Sequence, residues 1–416
     1  MYCLPQYRII PQIAVETFCL GLLMVLTSLL YMGVSKTANR GILLFGLLLS
    51  VVNLFSQLTS PFPPTDQFYK ILFLAICFIF ITEYFVRVNP VIQSTFKAHI
   101  LLASILVVYG SYIYLVGDVE GTQTTEIGWK TIGRYWGFRY TASTRNDDIF
   151  YIVPAGLIIL SYALFELSRP KRVLYLTIFF MFAVVTFLSF SRGHILAMSL
   201  TAVTAIFLKM QFLNSLNERR INRQNSFLAS LKMCGVLIGT IVVVILLLYS
   251  VGVYIPEFNL LVNLGLKLVS IIDPSAQAEA LNMTSSNSDR LNIYFIALDL
   301  LTKYPLGVGA ENFQYASMAE GHGRFWGEST YLEYLVGFGV LGGFFLPVFL
   351  LYPVIKLYYM FKVHGRFLDF TYFSVSLYIA IACLFNVFMG NLYFYLLLSM
   401  IYAYIIHHKK IIYKRN

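Results

Sequence analysis

Residues 41–58, GILLFGLLLSVVNLFSQL, contain no charged side chain. A helix needs about 20 mostly apolar residues to cross a hydrocarbon core of roughly 30 Å, and this run is close to that length. Similar runs recur along the whole 416-residue chain, separated by short polar joints. Because these runs lack the strict alternation of barrel strands, we expect each of them to form a helix.

The composition is also typical of a membrane protein. Of all residues, 58% are hydrophobic and 12% are charged, whereas a soluble domain carries roughly a quarter charged residues. We therefore predict an all-α fold, a polytopic transmembrane helical bundle of about eleven spans that forms a single integral membrane domain over residues 1–416. The predicted spans are residues 12–34, 41–58, 69–86, 98–116, 149–167, 173–190, 194–210, 232–253, 330–354, 371–389 and 393–407.

The positions of the basic residues predict the orientation. The formal net charge is +10, but most lysines and arginines lie in one set of short joints between spans, so we expect no nucleic-acid partner. Such joints face the cytoplasm, which predicts an outside N-terminus and a cytoplasmic C-terminus. The long polar stretches 117–148 and 254–329 then lie outside. We expect the second, a large loop containing short amphipathic helices, to carry the chemistry.

Arg192 lies in the turn Ser191-Arg192-Gly193, a joint of only a few residues between two apolar runs. Its guanidinium is therefore expected at the outer membrane boundary, where ionisable residues are functional candidates. The alternative is an arginine that extends its side chain to the lipid headgroups. We expect this turn to converge with the two outer stretches.

Residues 288–298, SDRLNIYFIAL, predict a helix that has Ser288 or Asp289 as its N-cap and ends before Pro305. Arg290 then falls in the first turn, where a cation opposes the helix dipole unless an anion lies beside it. A phosphate held by Arg290 and by free N–H groups would supply that anion. The alternative is that Arg290 pairs only with Asp289 or with a lipid phosphate.

Leu291, Phe295 and Leu298 recur at helical spacing and are predicted to form the apolar stripe of the same helix. Residues 304–313, YPLGVGAENF, follow as a helix stop and a turn with two glycines. The turn lacks the GKS/T ending of a nucleotide-binding loop. We expect it to shape the wall of a cavity.

Two candidate bases precede the ninth predicted span. Thr330 and Glu333 match the capping box S/T-x-x-E, which gives Glu333 a structural explanation. Glu328 has none, and partial burial among glycines and aromatic residues would raise its pKa toward that of a useful general base. The alternative for Glu328 is a solvated loop carboxylate, and His322 is the rival base.

All three tryptophans fall in the outer stretches, interleaved with arginines. They predict either an interfacial aromatic belt or platforms for sugar rings, with the arginines binding acidic groups or diphosphate. The residues that we expect to bind substrate are Arg134, Arg139, Arg145, Tyr294, His322, Arg324, Trp326 and Tyr331. Asn146-Asp147-Asp148 lacks a third convergent ligand and the five cysteines are scattered, so we predict no metal and no other cofactor.

Three features in this order resemble the O-antigen polymerase and ligase superfamily. They are the Ser191-Arg192-Gly193 turn, the run from Arg290 to Phe313, and Glu328-Ser329-Thr330-Tyr331-Leu332 followed by the glycines of residues 337–342. The resemblance implies a metal-independent inverting glycosyltransferase of the bacterial cytoplasmic (inner) membrane. It also implies that oligosaccharides carried on undecaprenyl diphosphate are both donor and acceptor.

The resemblance further implies roles for individual residues. Arg192 and Arg290 match arginines that hold the donor's diphosphate. Glu328 occupies the position where ligases have His followed by Asn, and the Glu-Ser pair in this chain is similar to Wzy-type polymerases, which join repeat units of O-antigen or capsular polysaccharide. Membrane lipid and a chain-length regulator are the further partners that the resemblance implies.

Two other functions stay open. An O-antigen ligase would transfer the glycan to lipid A-core. A flippase or transporter of lipid-linked sugars would be expected to carry charged residues in mid-span and internal repeats. In this sequence Glu16, Glu83 and Glu166 lie near the ends of predicted spans, and no internal repeat is evident.

Overall fold

The computed structural model of the protein describes residues 8–10, 13–14, 40–62, 65–87, 91–116, 147–188, 192–218, 285–323, 329–385, 388 and 391–413. Within these residues the chain is helical except for a short antiparallel pair, β1 (Arg8–Ile10) and β2 (Ile13–Ala14). β2 falls at the start of the predicted span 12–34, and the rest of that span lies outside the described residues. The predicted span 232–253 and most of the stretch 117–148 lie outside them too.

Helices cover the other predicted spans. The helices of the described residues are α1 (Arg40–Thr59), α2 (Asp66–Arg87), α3 (Val91–Val116), α4 (Asp147–Phe165), α5 (Arg169–Leu188), α6 (Arg192–Glu218), α7 (Ser285–Lys303), α8 (Phe313–Ala319), α9 (Thr330–Gly337), α10 (Gly339–His364), α11 (Phe367–Ala382) and α12 (Leu392–Tyr413).

Several of these helices can cross a membrane. In the described part of the chain, three are long and apolar enough by length and composition, and they comprise Phe68–Val86, Gly193–Leu213 and Gly339–His364. Shorter apolar helices comprise Thr95–Val108, Phe150–Phe165, Phe367–Ala382 and Leu392–His408. The predicted all-α membrane fold is confirmed, and the number of about eleven spans stays a prediction.

The predicted span 330–354 is in fact two helices. α9 ends at Gly337 and α10 begins at Gly339, with Phe338 between them as the C-cap of α9. The apolar pattern continues across the break, so the sequence read as one span. The predicted span 371–389 also ends early, since α11 stops at Ala382.

The chain divides into two compact units. Unit 1 comprises Met1–Leu101, Asn292–Val363 and Thr371–Asn416, and unit 2 comprises Leu102–Leu291 and His364–Phe370. In unit 1, α2 packs against both α1 and α12. The ring of Phe349 stacks on that of Tyr402 with centroids 5.1 Å apart. A single integral membrane domain over residues 1–416 stays a prediction.

In unit 2, α4 packs against α5 and α6. The turn between α4 and α5 is closed by Glu166, whose Oε1 accepts a hydrogen bond from the Ser168 N–H at 3.0 Å. The ammonium of Lys209 on α6 lies 3.3 Å from the centre of the Phe165 ring. The side chain of Lys209 is buried, and this cation–π contact stabilises its charge where water is largely excluded.

Candidate functional site

In unit 1 the irregular turn of residues 305–309 pairs with residues 336–340, where α9 ends and α10 begins, and we call this pair the glycine junction. The N–H groups of Val308 and Gly309 donate to the carbonyls of Val336 and Gly337 at 3.0 and 2.9 Å. The N–H of Val340 donates to the Pro305 carbonyl at 3.0 Å. Non-helical backbone beside a membrane span must satisfy its polar groups within the protein. The junction does so at the break between α9 and α10.

The junction requires glycine because the two stretches approach so closely. Gly307 and Gly339 have φ angles of 100° and 64°, in the left-handed region that favours glycine. A Cβ on Gly307 would lie 2.4 Å from the Gly337 carbonyl oxygen, and one on Gly339 would lie 2.3 Å from that of Pro305. Backbone atoms cannot move aside as a flexible side chain can. Gly307 is therefore required for packing, and the predicted role of the two-glycine turn as a cavity wall stays a prediction.

The connection between α1 and α2 holds the junction from another side. The hydroxyl of Ser60 donates to the Val308 carbonyl at 2.5 Å, and the hydroxyl of Thr65 donates to the Ala310 carbonyl at 2.7 Å. The Asn312 side-chain amide donates to the Val308 carbonyl at 2.9 Å. The Ser60 and Thr65 contacts join residues about 250 positions apart in sequence, and the sequence pattern indicated neither of them.

Helices α7, α8 and α9 share one small hydrophobic core. The buried residues of α7 are Ile293, Ile296, Ala297 and Leu300. They pack with members of the following turn and helices, namely Val308, Phe313, Ala316, Leu332 and Val336. The core therefore fixes the part of α7 from Ile293 onward relative to α9.

The predicted start of α7 is wrong. The helix begins at Ser285, so neither Ser288 nor Asp289 is its N-cap. Arg290 is the sixth residue of the helix and lies beyond the first turn, where the effect of the helix dipole has largely decayed. The dipole argument for a bound anion at Arg290 therefore fails. The predicted end before Pro305 is confirmed, since α7 stops at Lys303.

The predicted apolar stripe of α7 points away from the core. Phe295 is 69% exposed and Leu298 is 56% exposed, while the core is formed by Ile293, Ile296, Ala297 and Leu300. The helix is apolar on two faces, and only one of them packs inside the protein. Tyr294, predicted to bind substrate, is 47% exposed beside this outer face.

A cluster of polar side chains joins the end of α7 to the end of α8, and we call it the charged cluster. The ammonium of Lys303 lies 3.0 Å from Asp299 Oδ2 and 2.7 Å from Glu320 Oε2. The hydroxyl of Tyr304 donates to Glu320 Oε1 at 2.6 Å. His322 Nε2 lies 2.6 Å from Asp299 Oδ2. Sequence spacing could have found only the i,i+4 pair of Asp299 and Lys303.

The contacts of the charged cluster shift the pKa values of its members. Hydrogen bonds from His322 and then Lys303 lower the pKa of Asp299, and hydrogen bonds from Lys303 and then Tyr304 lower that of Glu320. The bonds to Glu320 and Asp299 raise the pKa of Lys303, and the bond to Glu320 raises that of Tyr304. Each shift favours the protonation state that makes the bond. His322, the predicted rival base, therefore has Asp299 as a defined partner.

The start of α9 differs from the predicted capping box. Ser329 is the N-cap and Thr330 is the first helical residue, so Thr330 and Glu333 cannot form the box. Thr330 instead accepts a hydrogen bond from the Phe388 N–H at its Oγ1, at 3.0 Å, and its own N–H donates to the Cys383 carbonyl at 2.9 Å. The hydroxyl of Ser329 also donates to the Cys383 carbonyl, at 3.1 Å. The backbone that follows Glu328 is thus anchored to the connection between α11 and α12.

The structure describes only some of the predicted site residues. Arg192 opens α6 and Arg290 lies within α7, but their side chains are not among the described atoms. Tyr331 donates its hydroxyl to the Ala380 carbonyl at 3.1 Å. The predicted site residues that lie outside the described residues are Glu328, Arg134, Arg139, Arg145, Arg324 and Trp326. The convergence of the arginines with Glu328 stays a prediction.

Within the described ranges, no three side chains of His, Cys, Asp or Glu are arranged to hold a metal ion. Cys77 and Cys383 are buried free thiols. The expectation that no metal takes part stays a prediction.

Comparison with known proteins links this segment to one family. Residues 176–346 match the family model described as O-antigen ligase. The matched range contains α6, α7, α8 and α9, together with Arg192, Arg290, His322 and Glu328. No curated protein matches the chain. The match confirms the resemblance to the O-antigen polymerase and ligase superfamily that the motifs indicate.

Proposed function

We propose that this membrane protein joins oligosaccharide repeat units, as a Wzy-type polymerase of O-antigen or capsular polysaccharide. The hydroxyl of the incoming lipid-linked unit attacks the anomeric carbon of the growing chain. The bond from that carbon to the diphosphate of undecaprenyl diphosphate breaks, and the configuration at the carbon inverts. The hydroxyl proton passes to a base on the protein, and the lipid diphosphate leaves.

The observation that carries the proposal is the family match over residues 176–346, because it includes all three residues to which we assign chemistry. In the proposal Arg192 and Arg290 bind the leaving diphosphate, since guanidinium groups form paired hydrogen bonds with phosphate oxygens. Glu328 accepts the proton of the attacking hydroxyl. Arg134, Arg139, Arg145, Arg324 and the aromatic residues line the glycan groove.

Two features of the described structure support these roles. Ser329, the residue after Glu328, is buried and its hydroxyl donates to the Cys383 carbonyl, so the backbone that follows the proposed base is anchored, which favours a positioned base. Arg192 is the first residue of α6, where unpaired N–H groups of a helix end favour a phosphate. The first feature agrees with proton transfer to Glu328, and the second agrees with diphosphate binding by Arg192.

The test is a reconstituted reaction. Purified protein in lipid nanodiscs is incubated with defined undecaprenyl-diphosphate repeat units, with and without lipid A-core, and products are separated by length. The proposal expects a ladder of products. A single addition to lipid A-core, with no ladder, would instead identify a ligase, which is the activity that the matched family's description names. If neither the ladder nor the single addition is formed, the proposed glycosyl transfer is refuted altogether.

Substitutions then test the roles. We expect Glu328→Gln to lower the rate by about 10²- to 10⁴-fold, the usual contribution of a general base. Arg290→Ala and Arg192→Ala should each lower it by about 10²-fold or more, as the loss of a group that stabilises developing charge does. If these variants polymerise at the wild-type rate, the roles assigned to the three residues are wrong, even if the protein is shown to be a polymerase.

Matched controls come from the same chain. Glu320→Gln removes a carboxylate of the charged cluster, and Arg172→Ala removes an exposed arginine whose guanidinium donates to the Glu166 carbonyl at 2.6 Å. Neither has a role in the proposed reaction. Both should keep the wild-type rate within about threefold, because the partly exposed ion pair of Glu320 with Lys303 contributes little to stability and Arg172 is an exposed residue that bonds only to a backbone carbonyl among the contacts described.

A further inference from the structure

The outer face of α7 is an apolar surface that the described part of the chain leaves exposed. Tyr294, Phe295 and Leu298 are 47%, 69% and 56% exposed. At 100° per residue these three side chains fall within about 100° of the helix circumference, opposite the buried face formed by Ile293 and Leu300. A contiguous apolar surface of this kind on a structured helix indicates a binding surface.

Polar residues occupy a separate arc of the same helix. Asn292, Asp299 and Lys303 lie beyond the apolar residues on one side. Asp299 and Lys303 are paired in the charged cluster, at 3.0 Å, and Asn292 is exposed. The helix therefore has a core face, an apolar exposed face and a hydrated edge between them. This division into three faces is the one expected of a helix that meets both protein and membrane.

The glycine junction fixes where α7 ends. α7 stops at Lys303, and the Pro305 carbonyl accepts a hydrogen bond from Val340, in the first turn of the membrane span Gly339–His364. A Cβ on Gly339 would lie 2.3 Å from that same carbonyl oxygen. The C-terminal end of α7 is therefore held beside the first turn of α10, and we take this end of the apolar helix as the membrane boundary. Leu306, in the connecting turn, is also 44% exposed at this boundary.

We propose that α7 lies along the membrane surface, with Tyr294, Phe295 and Leu298 inserted between the phospholipid headgroups and the ends of the acyl chains. Phe295 lies eight residues before Lys303, about 12 Å along a helix that rises 1.5 Å per residue. A helix that runs along the surface keeps the whole apolar face in the interfacial layer. A helix that stands upright would lift Phe295 out of that layer into water.

Docking on phospholipid does not depend on the proposed glycosyl transfer, but it has a consequence for that reaction. Arg290 lies one turn before Tyr294 on the same helix. A docked α7 holds its backbone at headgroup depth, which is also the depth of the diphosphate of a lipid-linked donor. The apolar face of α7 contacts the phospholipid bilayer, whereas the donor's diphosphate binds Arg290 in the proposed reaction.

The test uses photocrosslinking in the full-length protein. The photoreactive amino acid p-benzoylphenylalanine replaces Phe295, and in a second variant Leu298, in cell membranes and in nanodiscs of phosphatidylethanolamine and phosphatidylglycerol. Both positions are exposed, so a larger aromatic side chain leaves the core intact. Asn292 is the matched control, because it is exposed on the same helix but lies on the hydrated arc. Adducts are identified by their mass.

We expect phospholipid adducts at positions 295 and 298 at least fivefold more abundant than at position 292. Equal yields at the three positions would overturn the proposal, since they would mean random contact with lipid. An adduct with another part of the protein, with a polyprenyl lipid, or with nothing would also overturn it. Crosslinking in nanodiscs that contain no donor does not require the protein to be catalytically active. Failure of the polymerisation assay and failure of membrane docking can therefore be told apart.

Discussion

The glycine junction and the charged cluster hold the same segment of unit 1 by different means. In the junction, Gly307 and Gly339 bring two backbones so close that a methyl group does not fit. In the charged cluster, Asp299 and Lys303 meet with side chains that are 35% and 42% exposed. Water and salt compete with exposed charges, but neither can relieve a steric overlap. The junction should therefore set the geometry of the segment, while the cluster adjusts it.

The largest effect is expected from Gly307→Ala and Gly339→Ala. Each would combine a left-handed φ, which costs about 1 to 2 kcal/mol for a residue with a Cβ, with overlap against a backbone carbonyl, which adds about 1 to 3 kcal/mol. The variants should lose several degrees or more of apparent melting temperature in nanodiscs, or fail to accumulate. Fluorescence-detected size-exclusion chromatography on heating measures both.

Gly321→Ala is the matched control for these substitutions. Gly321 also has a positive φ, of +81°, but a Cβ there would meet nothing within 4 Å. Only the backbone term of about 1 to 2 kcal/mol remains. If Gly321→Ala destabilises the protein as much as Gly307→Ala does, the close approach of the two backbones is not what makes the junction depend on glycine.

A smaller effect is expected from Gly309→Ala, because the nearest obstacle is a side chain. Its Cβ would lie 2.5 Å from Gln57 Oε1, at a φ of +87°. The double variant Gly309→Ala, Gln57→Ala removes that side chain. Its loss of melting temperature should therefore be smaller than the sum of the losses of the two single variants. Strict additivity in melting temperature would show that Gln57 is not the obstacle.

A still smaller effect is expected from Lys303→Met. This change removes the ammonium that lies between Asp299 and Glu320 but keeps the length of the side chain. We expect a lower melting temperature at low ionic strength and almost no difference from the wild type in 1 M salt, because screening already weakens the pairs. A loss that is equal at both ionic strengths would show that packing, rather than charge, makes the contribution.

The smallest effect is the acid dependence of the same cluster. The pKa values of Asp299 and Glu320 are lowered in the folded protein. The stability that they contribute is therefore present above the ordinary carboxyl pKa of about 4 and is lost as the pH falls through the lowered values. The wild type should lose its advantage over Lys303→Met as the pH falls from about 4 through the lowered pKa values of these two carboxyls. A constant advantage over this range would contradict the assignment.

The sequence pattern predicted most helices well. It failed where contacts between residues far apart in the chain determine the local structure. The predicted span 41–58 corresponds to α1, Arg40–Thr59, within one residue at each end. By contrast, the break at Phe338 is invisible in a continuous apolar run. It depends on Val308 and Gly309, which satisfy the freed carbonyls from another part of the chain.

The candidate site shows the same limit. Thr330 and Glu333 have the spacing of a capping box, yet Thr330 instead bonds to Phe388 and Cys383. Local spacing could not foresee a partner more than 50 residues away. Likewise, periodicity identified Phe295 and Leu298 as an apolar stripe, but it could not tell which of two apolar faces the protein would bury.

The sequence by itself determined that this is a helical membrane protein, because apolar runs of sufficient length admit no other solution in lipid. It also determined where most described helices lie and which superfamily the central motifs resemble. The tertiary structure alone decided the break between α9 and α10, the start of α9 at Ser329, and the partner of His322. It also decided which face of α7 packs against the other described helices and which stays exposed. Each of these depends on atoms that are far apart in the chain and meet only after folding.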